Sequence, residues 1–269
     1  MGTQRLIRFA SAILGASNST GGAGGGGGGG PSDPIADLDP LYWFDATTQI
    51  GNSSDSLSPT SDTRIGYWGD LSGNGHHMRG IATTATWPKF EPTHSGFGDL
   101  PTVRHSSSIL TSPTPTITGG EWTAFVVAQT INAAIRGHWL SSSTGSFVST
   151  TAIYEIRSQS GAWNFQGFGV SWSSAATNTT TPSIYAVRAT SGRGEIWELG
   201  GASKFAVNTT DGAASVGLNT GMSADQAFKG ESRISGIVGW SSGLSNAQLD
   251  EVGEALGDKF GFTWSPVTT

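Results

Sequence analysis

Eight consecutive residues, Trp122-Thr-Ala-Phe-Val-Val-Ala-Gln129, demand more of the fold than any other stretch of the chain. Aromatic, β-branched and small apolar side chains stand at both odd and even positions. Extended, such a segment is apolar on both faces and has to be covered on both. It belongs in the middle of a sheet. The remaining sequence supplies neighbours for it: Leu41–Phe44, Ile65–Trp68, Pro88–Phe90, Leu100–Arg104, Ser108–Leu110, Ala152–Arg157, Ala162–Trp172, Ser183–Ala189, Glu195–Leu199 and Ser232–Trp240 read as strands separated by Gly, Pro, Ser and Asn. Residues 51–63 read as a loop. With charged residues at only 13% and 40 glycines, the chain has the composition of short strands joined by many turns. The expected fold is all-β, a two-sheet antiparallel sandwich.

One helix is expected. Ser245-Asn-Ala-Gln248 forms a capping box, Leu249, Val252, Leu256 and Phe260 recur at helical spacing, and Gly261 can end the helix in the left-handed region. The sandwich is expected to span 35–269 as one domain. Ahead of it, residues 1–20 read as an anchoring arm whose apolar side chains are Leu6, Ile7, Phe9, Ile13 and Leu14. Residues 21–34, glycine-dominated, read as a flexible tether. The apolar part of the arm is short and interrupted for a signal peptide, although cleavage near Ala16 is the alternative that would make the protein secreted. The glycine run contains G-x-G-x-x-G, but Pro31-Ser-Asp-Pro34 follows it where a dinucleotide site would need a helix.

Net charge is −6 with no run of Lys or Arg, which argues against nucleic acid as a partner, and no apolar run is long enough for a membrane span. There is no cysteine. The five histidines (His76, His77, His94, His105 and His138) do not have the spacing of a zinc site.

Trp68-Gly-Asp-Leu-Ser-Gly-Asn-Gly-His-His77 concentrates turn chemistry into ten positions, with glycines suited to positive φ and Asp70, Ser72 and Asn74 able to bond nearby backbone. Together with Leu41-Tyr-Trp-Phe-Asp45, Pro88-Lys-Phe90, Leu100-Pro-Thr-Val-Arg104, Trp122–Ala128 and a closing block from Phe228-Lys-Gly230 to Lys259-Phe-Gly261, this turn resembles the concanavalin A-like lectin/glucanase superfamily. Within it the chain is most similar to the laminin-G-like modules of phage virion and bacterial surface proteins. The resemblance implies a jelly roll. Relatives tend to carry an acidic residue in the closing strand, where this chain has Ser235-Gly236.

Glycoside hydrolysis needs two carboxyl groups, about 5–5.5 Å apart for retention or roughly 6.5–9.5 Å for inversion. The nearest motif, Glu195-Ile-Trp-Glu198, puts its two carboxylates on opposite faces of a strand. Gly239-Trp-Ser241-Ser-Gly243 matches a nucleophile elbow, but no histidine follows Ser241. The loop from Asp70 imitates the first half of an EF-hand, and Ile81 stands where the bidentate Glu belongs. The laminin-G-like resemblance keeps a calcium ion on Asp70 open, and no other cofactor is expected. Candidate saccharide contacts are Asp70, Asn74, Trp139, Trp163 and Trp172, the aromatics by stacking on pyranose faces.

These readings add up to a non-enzymatic virion component on the particle surface, a head decoration, fibre or tail appendage. In this reading the arm docks on capsid or tail proteins, the lectin-like body contacts host surface polysaccharide, and a homotrimer is left open. The alternatives are a secreted carbohydrate-binding module and a glycoside hydrolase whose carboxylate pair the sequence does not reveal.

Overall fold

The computed structural model describes residues 33–53, 56–80, 87–112, 116–117, 121–132, 137–143, 154–159, 162–167, 170–173, 180–190, 193–203, 205–208, 214–215, 217–221 and 231–268. The expected arm and tether, including Leu6, Ile7, Phe9, Ile13 and Leu14, lie outside the described residues.

Two antiparallel sheets face one another as the expected sandwich. The strand Trp122–Thr130 lies at the centre of an eight-stranded sheet, between Ser183–Thr190 and Glu231–Trp240. Arg193–Glu198 and Phe205–Asn208 extend this sheet on one side, and Leu100–Ser106 and Lys89–His94 on the other. Tyr42–Asp45 adds to Glu231–Trp240 from the near end of the chain. The ten-stranded sheet runs in the order Val170–Ser173, Ala162–Gly167, Tyr154–Gln159, Gly137–Ser143, Gly217–Gly221, Leu110–Ser112, Met78–Gly80, Tyr67–Trp68, Ile50–Ser53 and Ser56–Leu57. Two expectations are corrected here. The loop at 51–63 contains strand residues, and Ala162–Trp172 is two strands instead of one.

The two faces of Trp122–Thr130 explain its composition. Ala124, Val126 and Ala128 point into the core between the sheets, against Phe44, Trp68, Tyr185, Val187 and Ile237. Phe125 and Val127 point the other way, into a second core beneath the C-terminal helix Asn246–Phe260. Leu249, Val252, Leu256 and Phe260 form the buried stripe of that helix. Each contributes roughly 1.5–3 kcal/mol by leaving water. Gly253 lets the helix approach Trp264 so closely that a Cβ there would collide with the indole. The expected capping box is present, with Ser245 Oγ accepting from Gln248 N and Gln248 Oε1 accepting from Ser245 N, and Gly261 closes the helix at φ 76°. Ser241 lies exposed in the turn that leads to it.

His105 is completely enclosed where the sheets meet. Its Nδ1 lies 3.2 Å from Ser108 Oγ, and Gly221, at φ 86°, leaves space that a side chain would take from the imidazole. Burial is the chief cause that lowers its pKa to about 4. Between pH 6.5 and 4 the unfolded chain therefore binds a proton that the folded chain refuses. Stability should fall by about 3 kcal/mol as the pH drops through that window. Urea unfolding at pH 7 and at pH 4.5 measures this, and His105→Gln should flatten the slope over that window.

Candidate functional site

The Trp68–His77 turn is stitched onto the first strand of the body. Asp70 Oδ1 accepts from Trp43 N at 2.9 Å and Ser72 N at 3.0 Å; Oδ2 accepts from Ser72 Oγ at 2.8 Å and His76 N at 2.9 Å. Asn74 Nδ2 donates to the carbonyls of Pro40 and Leu41, each at 3.1 Å. Asp70 is only 4% exposed. Its four donors occupy the lone pairs that a calcium ion or a saccharide hydroxyl would need. Among the described residues no group of three or more His, Asp or Glu is arranged to hold a metal ion. The expectation of Asp70 as a ligand contact is therefore corrected, since its carboxylate is enclosed and engaged in fixing the turn; the Asn74 amide nitrogen helps to hold the same turn from an exposed position.

Trp139 is likewise corrected. It is fully buried and packs on Tyr185 with ring centroids 4.3 Å apart, so it offers no face to a sugar. Trp163 and Trp172 stand on adjacent strands of the ten-stranded sheet, opposite Ser158 and Phe165 respectively. Their side chains lie outside the described residues.

Three carboxylates on the strands of the eight-stranded sheet, Asp45, Glu195 and Glu91, are paired. Asp45 accepts from Thr47 and from Lys259 of the C-terminal helix. Glu195 is buried and locked to Arg188, and Glu198 falls on the opposite face of their strand, as the spacing predicts. Glu91 sits between Arg233, Thr102 and Arg104. Burial pushes its pKa up, but the Arg233 and Thr102 hydrogen bonds and the two guanidinium charges outweigh that, and the carboxyl is held below its ordinary value.

Two features remain once these residues are set aside. The first is a register row across the ten-stranded sheet. Following strand pairing, it reads Ser171, Gln166, Glu155, Ser141, Asn219, Thr111, Arg79 and Tyr67. Every member can hydrogen-bond. A parallel row holds Ser173, Asn164, Arg157 and His138. Glu155 is the one carboxylate on the strands described for this sheet. At the described end of the row, Arg79 lies over the Tyr67 ring at 5.4 Å.

The second feature is a cleft of about 220 Å³ lined by Arg64, Trp87, Lys89, Arg104 and Ser106. Trp87 lies across Gly66 and Gly80, whose backbones are joined by a hydrogen bond from Gly80 N to Gly66 O at 2.9 Å. A Cβ at either glycine would strike the indole. Arg64 Nη1 donates to the Trp87 carbonyl at 2.6 Å and so holds the tryptophan's backbone at the mouth of the cleft. Nothing in the sequence announced this site, because its residues come from separate segments and only strand register brings them together.

No family model matches the sequence, and no curated protein matches it either. Solved structures do match. An arabinofuranosidase complexed with arabinofuranosyl-alpha-1,2-xylobiose aligns over 82% of this chain and 59% of its own, with a TM-score of 0.60 and 14% identity. The Trypanosoma rangeli sialidase in complex with 2,3-difluorosialic acid aligns over 85% of this chain and 35% of its own, at TM-score 0.55 and 6% identity. The binding domain of Paraclostridial Mosquitocidal Protein 1 aligns over 80% of this chain and 51% of its own, at TM-score 0.52 and 10% identity. The likeness is one of fold. This chain spans about three-fifths of the arabinofuranosidase and about one-third of the sialidase. The expectation of a non-enzymatic virion component is corrected by these matches, because the sandwich is shared with glycoside hydrolases.

Proposed function

We propose that this chain is a glycoside hydrolase of the β-sandwich kind, taking a saccharide across the polar row of the ten-stranded sheet with Glu155 as its acid–base. The row itself carries the reading. Eight successive register positions, all able to donate or accept hydrogen bonds, form a track suited to hydroxyl-rich chains, and the lone carboxylate of those strands stands in that track. Hydroxyl-bearing polymers are recognised by such rows because each buried hydroxyl needs a partner when it leaves water. The glycosidases that share the fold support the same direction.

Hydrolysis requires a second carboxyl group. Asp211 and Asp225 are the acidic residues nearest in sequence to the strand Gly217–Gly221 and the ones to test as Glu155's partner. The purified chain should release reducing ends from at least one member of a panel holding arabinoxylan, arabinan, sialylated oligosaccharides and bacterial polysaccharides. Glu155→Gln should lower that rate by at least about a hundredfold, the scale of a lost acid–base group, with an unchanged melting temperature. Binding without release, or full activity in the Glu155 variant, overturns the proposal.

A further inference from the structure

A row of cations crosses the edge of the eight-stranded sheet. Arg64 pairs with Lys89 through an isolated bridge, Lys89 stands directly opposite Arg104, and Arg104 directly opposite Arg233. Like charges placed directly opposite one another across strands are destabilising. The chain has only 14 Lys and Arg and a net charge of −6, so four of its cations in one register row is an uneven allotment.

The carboxylates nearby neutralise only part of it. Asp62 takes Lys89 at 3.2 Å, and Glu91 takes Arg233 at 2.6 Å. Arg104 reaches Glu91 only at 3.6 Å, and its Nε is buried without an acceptor among the described residues. Arg64 has the Trp87 carbonyl and, among the described residues, no carboxylate. Glu231 stands opposite Ser106, one row away, and makes no ion pair with these cations among the described residues. His94 lies along the same edge, its pKa lowered chiefly by burial and then by Arg233, so it adds no charge at neutral pH. Three of the four cations, Arg64, Lys89 and Arg104, line the same cleft as Trp87.

We infer that this cleft is a binding site for an acidic sugar residue, the guanidinium groups of Arg64 and Arg104 and the Lys89 ammonium receiving a uronate-type carboxylate while Trp87 packs against the ring. Planar guanidinium groups match a carboxylate through paired N–H donors. An indole held against two glycines is already fixed in place, so little side-chain entropy is lost when a ring meets it. The inference rests on the saccharide reading for the body of the ligand, but not on hydrolysis or on Glu155.

Titration calorimetry with the full chain separates the two. Tetragalacturonate should bind more tightly than neutral xylotetraose at this site, and the difference should shrink as salt is raised, because the cations are partly exposed. Arg104→Gln should weaken tetragalacturonate binding roughly tenfold, the loss of one charge-assisted hydrogen bond, and leave xylotetraose binding and the melting temperature unchanged. Lys89→Gln provides a second, independent variant with the same expected pattern. Equal affinity for the acidic and neutral sugars, affinity unaffected in both variants, or sulfate or a DNA oligonucleotide binding as tightly as the uronide would each overturn the inference. Glu155→Gln should leave tetragalacturonate affinity unchanged, so a failed hydrolase reading and a failed cleft give different results.

Discussion

Replacing Glu195 by alanine is expected to cost about 3–5 kcal/mol of folding stability, the range for stranding one member of a buried ion pair. Arg188 lies under the C-terminal helix, 8% exposed, with both Nε and Nη2 donating to Glu195 Oε2 at 3.2 and 2.5 Å. Its Nη1 donates to the Leu244 carbonyl and to Asn246 Oδ1, each at 2.8 Å, and the guanidinium stacks over Trp197 at 5.0 Å. The arginine therefore ties two neighbouring strands to the first turn of the helix. Without Glu195 its charge stays buried, and only Asn246 and the Leu244 carbonyl remain to answer it. Urea denaturation should show the loss as a lower midpoint. Glu195→Gln should lose less, since an amide oxygen still accepts. The double replacement Arg188→Met with Glu195→Leu should recover most of the deficit, because no stranded charge is left. If the single and double variants are equally unstable, packing rather than charge holds this corner.

The second large effect is expected at Asp70. Asp70→Ala removes the acceptor of three backbone N–H groups, those of Trp43, Ser72 and His76, and of the Ser72 hydroxyl. Hydrogen bonds to a charged group contribute roughly 1.5–3 kcal/mol each, and water recovers part of that for the exposed donors, leaving an expected loss of about 3 kcal/mol. Asp70→Asn should sit between the two, because one side of its amide can still accept while the other presents N–H to donors. The discriminating measurement is saccharide turnover at a temperature where the variant remains folded. Unchanged turnover there places Asp70 in the scaffold, whereas turnover lost in step with ligand affinity would place it in the site.

Much of the architecture was legible because strand and helix signals are local. The apolar string at Trp122–Gln129 announced a strand covered twice, and the capping box at Ser245 located the helix that supplies one of the covers. Ile50–Ser53 and Ser56–Leu57 were hidden because their Ser, Asn and Gly composition is that of a loop, and sheet neighbours rather than side-chain preference extend them. Trp139 misled for the opposite reason. Its Ser- and Gly-rich surroundings suggested a surface, but the neighbouring strands bury it. The cation row could not be read at all. Arg64, Lys89, Arg104 and Arg233 belong to four separate segments, and their adjacency exists only once register is set.

The strand Glu231–Trp240 lies between Trp122–Thr130 and Leu100–Ser106 and also receives Tyr42–Asp45. Three earlier strands thus wait for one that is made more than a hundred residues after the last of them. While the chain is being synthesised, its principal sheet stays open along the middle, and the central apolar string has an unpaired edge. Such long-range pairing makes folding slow and delays it until translation has passed the closing strand. The dilution of the chain by Gly, Ser and Thr then has a use during biosynthesis, since it leaves few other sticky segments to pair wrongly in the interval.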